Sequence, residues 1–373
     1  MADLYVGVMS GTSLDGVDAV LVELGESDCT VLAAKTSPYP RQLYSDLRSL
    51  VRKPRASLVD IGTLDVAIGE FFAECVLDLV SDSPFDPSRI VAIGISGHTA
   101  YHKPDAPRAF TLQLGDPNTV AARTAMTTVA DMRGTDVAFG GQGAPMVPPF
   151  HSWRFSDVLE ARVVVNIGGI ANLTCLNAER PLRGFDSGPG NTLMDIWCER
   201  NRGERFDRDG EWAASGTVNP ALLARMSADP YFKKVSPKST GLEHFNLAWL
   251  EDALSATGRK LDPADVQATL LELTATTIAA SLKTSEPEAG RAILCGGGAY
   301  NTALVGRLRA LLPGVQVESS AAHGIPPEWV EATAFAWLAR LRLIGKAGNA
   351  PSVTGARQAV VLGGVYSGNQ PTR

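Results

Sequence analysis

Near the start of the chain, two short apolar runs flank a turn that is rich in hydroxyls, glycines and carboxylates. The runs cover residues 5–9 and 17–22, and the turn between them contains Asp15-Gly16. β-Branched residues favour strands and glycine enters tight turns without steric cost, so the segment predicts a β-hairpin. Amides and hydroxyls in such a turn can bind phosphate oxygens, and Asp15 or Asp18 could hold a hydrated Mg²⁺. Hairpins of this kind are also common as purely structural turns.

The same scheme of strand, glycine turn and strand recurs in the middle of the chain. Residues 163–176 place two glycines between apolar runs, and residues 292–301 place three glycines after a strand of the buried type. Bare backbone at such turns lets a flat or anionic ligand lie against the chain. No lysine followed by serine or threonine closes these turns, and no G-x-G-x-x-G opens a helix after the first strand. The pattern therefore predicts nucleotide binding by another architecture.

Composition limits the class of protein. The 373 residues are 45% apolar and 20% charged, which is typical of a soluble globular protein large enough for two domains. The net charge of −6 disfavours nucleic acid as a partner. No apolar run approaches the ~20 residues that span a bilayer, so we expect no membrane association. Five cysteines scattered among apolar stretches are typical of reduced core thiols and predict a cytoplasmic protein.

Apolar periodicity predicts strands that alternate with helices along the chain. After the strand at 90–96, we expect a polar loop over 97–102, where ligands of α/β proteins gather. Residues 129–151 are rich in glycine and proline, and we interpret them as a crossing between domains that also lines the binding cleft. Asp-Pro pairs predict helix starts at 116 and 262, and Pro-Pro predicts a third start at 326.

Asp186 is the residue whose sequence context most strongly suggests a catalytic role. It lies in a glycine-rich turn after the second hairpin, directly before a helix expected from about Asn191. A carboxylate on such a turn can point at a ligand, and a kinase needs one to accept a proton from the attacking nucleophile. The alternative is an ordinary N-cap or turn aspartate.

Five segments, taken together and in order, resemble the anhydro-N-acetylmuramic acid kinases. The resemblance implies an α/β fold: the duplicated ribonuclease-H-like fold of the actin, hexokinase and heat-shock ATPase superfamily, with the nucleotide in the cleft between two domains. We place the N-terminal domain at 1–140, joined by part of 345–373, and the C-terminal domain at 141–344. The matching segments are Met9–Asp18, Gly140–Pro145, Asn166–Thr174, Phe185–Asn191 and Glu331–Ala339.

The resemblance also implies a reaction. ATP and water would convert 1,6-anhydro-N-acetylmuramic acid to N-acetylmuramic acid 6-phosphate and ADP, in the recycling of cell-wall peptidoglycan. Asp186 would activate the water, Glu331 would help to position it, and Arg133 would contact the sugar or stabilise negative charge. Mg²⁺ is implied by the nucleotide, with its ligand unassigned, and the family suggests a homodimer. The expected nucleotide-binding residues are Gly11, Thr12, Ser13, Leu14, Asp15, Gly16, Val17, Asp18, Gly168, Gly169, Gly297, Gly298 and Asn301.

The sequence departs from the family pattern at two places. Where the family often reads His-Gly-Gln-Thr, this chain has Ser96, Gly97, His98 and Thr99, and Met132 replaces the phenylalanine of Asp-Phe-Arg. The hairpins specify a nucleotide better than an acceptor, so an ordinary sugar or acetate-type kinase stays open. A nucleotide-dependent scaffold is the second alternative, against which a carboxylate on an open glycine turn argues.

Overall fold

Strands and helices alternate through much of the chain in the computed structural model, which describes residues 3–11, 14, 16–52, 56–236 and 238–368. In that described part, none of the helices has both the length and the hydropathy that a membrane crossing requires. The strands are β1 (Asp3–Ser10), β2 (Val17–Leu24), β3 (Cys29–Ser37), β4 (Ile90–Ile95), β5 (His98–Lys103), β6 (Phe110–Leu114), β7 (Thr128–Ala130), β8 (Arg162–Ile167), β9 (Ile170–Leu176), β10 (Arg183–Pro189), β11 (Arg291–Cys295), β12 (Gln316–Ser319) and β13 (Gly364–Tyr366). The helices are α1 (Arg41–Arg52), α2 (Leu58–Ser81), α3 (Pro117–Thr124), α4 (Met132–Ala138), α5 (Pro148–Phe155), α6 (Thr192–Arg202), α7 (Glu211–Ser215), α8 (Pro220–Ser227), α9 (Leu247–Ser255), α10 (Pro263–Ser285), α11 (Thr302–Leu311), α12 (Val330–Leu343) and α13 (Pro351–Thr354).

The predicted helix starts follow their capping signals. Asp116 and Asp262 accept hydrogen bonds from backbone N–H groups in the first turns of α3 and α10, and each is followed by proline at the first helical position. Proline is favoured at this position because a backbone N–H there would have no acceptor within the helix. After Pro326, a 3₁₀ turn at Pro327–Trp329 precedes α12. Local sequence therefore decides where α3 and α10 begin, whereas α12 begins at Val330, four residues after the predicted start.

The chain divides into two units, Met1–Arg154 with Trp329–Arg373, and Phe155–Glu328. The first unit contains a sheet in the order β3-β2-β1-β4-β7-β13. In it, β1 pairs antiparallel with β2 and parallel with β4, and β2 pairs antiparallel with β3. The central strand β1 is buried on both faces: Leu4, Val6 and Val8 lie on one face with 0% exposure, and Tyr5 lies on the other with 2%.

The second unit repeats this topology. Its sheet has the order β10-β9-β8-β11-β12, in which β8 pairs antiparallel with β9 and parallel with β11. When only the strands of these two sheets are numbered in chain order, the third, second, first, fourth and fifth lie side by side in each unit. This repeat is the duplication that the family resemblance implies.

The boundaries of the units differ from the domain limits at 140/141 and 344/345 expected from the sequence. Residues 141–154 and 329–344 belong to the first unit, where α12 packs on β1 and β4. Gly7 and Gly94 make this packing possible, because a Cβ on either would overlap a backbone carbonyl of α12. Helical periodicity does not indicate which sheet a helix packs against, so the sequence prediction assigned α12 to the C-terminal domain.

The prediction of a polar loop over 97–102 is wrong. Residues 98–103 form β5, which pairs antiparallel with β6 in a two-stranded sheet. The polar residues are accommodated by cross-strand bonds, such as that from Gln113 Nε2 to Thr99 Oγ1 at 3.2 Å. Alternating polar residues are compatible with a strand when their side chains find partners across the ladder.

The glycine-rich stretch 129–151 is more ordered than the predicted crossing. It contains α4 and the start of α5, and it belongs to the first unit. Asp136, with 0% exposure, accepts bonds from Gly143 N and Asn349 Nδ2, both at 2.8 Å, and from Thr354 Oγ1 at 2.9 Å. A buried carboxylate is stable only with such partners, so Asp136 ties this stretch to the C-terminal segment.

Candidate active site

Three charged side chains interact in the first unit. Glu331 lies in the first turn of α12, Arg133 lies in α4, and Asp18 lies on β2. Burial raises the pKa of Glu331 above its usual range, the charge of Arg133 opposes this rise, and the charge of Asp18 adds to it. The structure thus brings together two predicted catalytic residues and one predicted nucleotide-binding residue.

Arg133 has unused hydrogen-bonding capacity. Its Nη1 donates to Gly143 O at 2.9 Å, whereas its buried Nε has no acceptor among the described residues. Burial lowers the pKa of this guanidinium, and the charge of Glu331 opposes that change. Because an unpaired buried donor is costly, Nε is suited to an oxygen of a bound ligand.

The predicted ATP segment at the β1–β2 turn is described in part. Thr12, Ser13 and Asp15 lie outside the described residues. The side chains of Leu14 and Val17 pack in the core with 8% and 0% exposure, so a ligand can reach only their backbone. Asp18 instead presents a carboxylate, which accepts a bond from Thr36 Oγ1 at 2.7 Å. Gly11 and Gly16 are the remaining residues of the predicted ATP segment. A Cβ on Gly16 would lie 2.7 Å from Ser37 O.

A buried polar network adjoins the first residue of this turn. Ser10 Oγ lies 2.6 Å from Tyr39 Oη and 2.9 Å from His98 Nδ1, and Ser10 N donates to Ser96 Oγ at 3.1 Å. Burial lowers the pKa of His98 to about 4, so its ring is neutral at pH 7. Ser96 and His98, the departures from the family pattern, therefore brace the end of β1.

Asp186 lies on β10 in the second unit, where it pairs with Asn172 of β9, so the prediction of a glycine-rich turn at this residue is wrong. Its Oδ2 accepts a bond from Thr240 N at 3.0 Å, and its backbone N–H donates to Lys238 O at 3.1 Å. Burial raises the pKa of Asp186 to about 6, an effect opposed by the Thr240 N–H and the charge of Lys238 and reinforced by Glu243. A carboxyl with this pKa is mostly ionised at pH 7 and remains basic enough to accept a proton.

The Gly168-Gly169 turn is tied to the start of α6. Gly190 N donates to Gly169 O at 2.9 Å, and Asn191 N donates to Gly168 O at 2.8 Å. Asn191 Nδ2 also donates to Ile167 O at 3.1 Å. The turn and the segment that carries Asp186 therefore form one connected structure.

The third glycine segment lies beside this structure. A Cβ on Gly298 would collide with Ile167 and the Asn191 amide, whereas a Cβ on Gly297 would meet no atom closer than 3.9 Å. Gly297 is thus the exposed member of the pair. Asn301 Oδ1 accepts a bond from Leu304 N at 2.9 Å as the N-cap of α11, so its predicted contact with adenosine would have to use other atoms.

Among the described residues, no three histidine, cysteine, aspartate or glutamate side chains converge as ligands for a metal ion. Mg²⁺ does not require such a cluster, since it is usually bound by one or two carboxylates together with water and phosphate oxygens. Asp18, with an oxygen-only side chain at the predicted ATP segment, is compatible with that chemistry.

A family model described as anhydro-N-acetylmuramic acid kinase matches residues 3–368. The chain belongs to the anhydro-N-acetylmuramic acid kinase family. The curated family member from Shewanella loihica is 47% identical over 367 residues, which cover 98% of this chain and 99% of the relative. The one from Coxiella burnetii is 46% identical over 368 residues, 98% of each chain.

Comparison with solved structures concerns the fold. Component A of the (R)-2-hydroxyglutaryl-CoA dehydratase from Acidaminococcus fermentans matches with a TM-score of 0.50 at 10% identity, over 90% of this chain and 96% of that one. The fold class predicted from the sequence is confirmed, with the repeated sheet topology of both units. Membership of the anhydro-N-acetylmuramic acid kinase family also confirms the prediction of a kinase.

Sequence reasoning missed the residues that hold the side chains of this family member in place. Lys238, Thr240 and Tyr231 contact Asp186 from 45–54 positions away in the chain, and Tyr39 reaches Ser10 from 29 positions away. Periodicity and turn motifs report local structure, so they carry no signal for these contacts. Lys238 and Thr240 lie close to Gly241 in a polar segment that could only have been noted as a loop.

Proposed function

We propose that this protein is an ATP-dependent kinase that opens the 1,6-anhydro ring of 1,6-anhydro-N-acetylmuramic acid and phosphorylates it to N-acetylmuramic acid 6-phosphate. The family assignment supports this substrate and its place in peptidoglycan recycling. The observation that carries the chemistry is Asp186, a partly buried carboxyl whose pKa of about 6 suits a general base near neutral pH.

Asp186 performs the first proton transfer in this mechanism. Its carboxylate accepts a proton from water, and the water oxygen forms a bond to the anomeric carbon of the sugar. The bond from that carbon to the bridging oxygen breaks, and the freed oxygen on carbon 6 attacks the γ-phosphorus of ATP. ADP leaves, so one water and one ATP are consumed for each sugar 6-phosphate.

Glu331 and Arg133 take the supporting roles in the first unit. Burial of Glu331 is unfavourable to its ionised form, and Arg133 Nε has no acceptor within the described part of the chain; a polar ligand would offset both. We assign Glu331 to the positioning of water and Arg133 to an oxygen of the sugar or to developing negative charge. The glycine turns supply backbone for ATP, with Gly168 and Gly297 as the members most open to a ligand.

Mg²⁺ would neutralise phosphate charge when it is bound. Asp18 is the residue we assign to it, through its hydration shell or directly. An Asp18→Asn variant would then need more Mg²⁺ for half-maximal ADP production than the unsubstituted protein. An unchanged Mg²⁺ requirement would remove Asp18 from this role.

We also propose a cytoplasmic homodimer. Burial of all five cysteines supports the location, because thiols in the core need no oxidising compartment. The dimer rests on the family alone. A single mass near the 39.5 kDa of one chain in light scattering would contradict it.

The deciding experiment combines Mg-ATP, 1,6-anhydro-N-acetylmuramic acid and ¹⁸O-labelled water. ADP release together with a ring-opened 6-phosphate that carries one solvent oxygen is the expected result. Phosphorylation without solvent oxygen would indicate an ordinary sugar kinase. ATP binding with no sugar-dependent ADP release would indicate a nucleotide-dependent scaffold.

A further inference from the structure

Asp186 is held by a segment that lies more than fifty residues further along the chain. Its backbone N–H donates to Lys238 O at 3.1 Å, and its Oδ2 accepts a bond from Thr240 N at 3.0 Å. Both the main chain and the side chain of Asp186 are therefore bound to the same short segment. Two such bonds restrict rotation of the carboxyl and leave Oδ1 as the oxygen that is not bound by Thr240 N.

Tyr231 connects the lysine of this segment to the backbone of Asp186. The tyrosine hydroxyl donates to Asp186 O at 2.8 Å, and its ring is 2% exposed. Lys238 Nζ lies 4.7 Å from the centroid of that ring, a cation–π geometry that restrains a flexible side chain. The restrained ammonium lies close enough to Asp186 for their charges to interact, and Glu243 acts on the carboxyl with the opposite sign.

We propose that Lys238 is a positioning residue for the reaction: its backbone carbonyl fixes the strand that carries Asp186, and its ammonium stabilises the ionised form of that carboxylate. This inference rests on the proposed role of Asp186 as general base. The kinase assignment itself does not depend on Lys238, since no bond to substrate is assigned to it.

If Lys238 contributed only to folding, its loss would change the pH dependence of activity differently than if it positions Asp186. Loss of a structural contact would lower activity equally at every pH. Loss of a cation beside the base would instead raise the pKa of Asp186, so the activity lost at low pH would return at high pH. The pH profile of kcat/KM therefore separates the two interpretations.

Lys238→Met is the test variant, and Lys238→Arg is its charge-conserving partner. We expect Lys238→Met to shift the acidic limb of the kcat/KM profile, near pH 6, upward by about half a unit to one unit. That shift corresponds to a kcat/KM about 3- to 10-fold lower than that of the unsubstituted protein at pH 5.5. Above pH 8 the two values of kcat/KM should differ by less than about 2-fold. Lys238→Arg should return the limb toward its original position.

Lys234→Met is the matched control. Lys234 Nζ lies 5.6 Å from the same Tyr231 ring, so its loss removes a similar cation from the same surface. We expect the acidic limb to stay in place in this variant. An equal shift in both lysine variants, or an unmoved limb in Lys238→Met, would overturn the proposal.

A measurement without substrate keeps this test independent of the proposed function. The free energy of unfolding of each protein with Asp186 is compared with its Asp186→Asn counterpart across pH, which locates the titration of Asp186. Lys238→Met should move that titration to higher pH. If the titration moves while Asp186→Asn retains full turnover, the electrostatic inference stands and the role of Asp186 as base is wrong. If Asp186→Asn is inactive and the titration does not move, Lys238 has no such role.

Discussion

The two units share one sheet order, yet each holds its key carboxyl differently. In the second unit, Asp186 lies on a strand, bound by a backbone N–H and close to Lys238. In the first unit, Glu331 lies in the first turn of a helix and interacts with Arg133 and Asp18. Burial raises both pKa values, and one positive and one negative charge act on each carboxyl: those of Lys238 and Glu243 on Asp186, and those of Arg133 and Asp18 on Glu331. The repeated scaffold thus places one such carboxyl on a strand and the other on a helix.

Asp186→Asn should have the largest effect on activity. We expect kcat to fall by about 10² to 10⁴-fold, because the amide cannot accept the proton from water. ATP binding, measured by calorimetry, should persist. Asp252→Asn, at an exposed carboxyl of the same unit, is the control and should keep wild-type turnover. Near-normal kcat in Asp186→Asn would remove it from the role of base.

Gly7→Ala tests how the first unit positions Glu331. The added Cβ would overlap the carbonyl of Ala332, so α12 must move away from β1. We expect a loss of about 3 kcal/mol in the free energy of unfolding, measured with urea. Gly62→Ala in α2 has open space around its Cβ and should be neutral or gain up to about 1 kcal/mol. Equal stability of the two variants would contradict close packing of α12 on the sheet.

Arg133→Met tests the charge cluster. Without the guanidinium, Glu331 keeps its burial and its repulsion from Asp18, and a donor to the ligand is lost. We expect kcat/KM to fall by about 10- to 100-fold in steady-state assays. Arg123→Met, which removes an exposed ion pair with Glu70, should change kcat/KM by less than about 2-fold. Similar losses in both variants would show that the cluster has no special role.

The raised pKa of Asp186 predicts how the free energy of unfolding depends on pH. Its folded pKa of about 6 is raised above the unfolded value near 3.8, so its contribution to stability is fully present below pH 3.8 and is lost as pH rises through 6. Asp186→Asn should therefore gain about 2 kcal/mol relative to wild type between pH 4 and pH 7.5, measured by urea unfolding. A difference that is constant across this range would contradict the raised pKa.

Local signals in the sequence predicted a large part of this architecture. Asp262-Pro263 indicated the start of α10, and the apolar runs around the first two glycine turns predicted the strand pairs at the start of each unit. The prediction failed at residues 97–102, where polar residues form a strand. It also underestimated order in 129–151, because two of the partners of Asp136, Asn349 and Thr354, lie more than two hundred residues away.

Neighbouring residues along the chain were enough to predict the first glycine turns, the helix caps at Asp116 and Asp262, and the series of motifs that marks the family. Only the tertiary structure decided that α12 covers the first sheet, that Glu331 interacts with Arg133, and that the segment after Lys238 holds Asp186. Burial and charge at a side chain are set by residues distant along the chain. The pKa of Asp186, on which its proposed chemistry depends, is therefore a property of the fold.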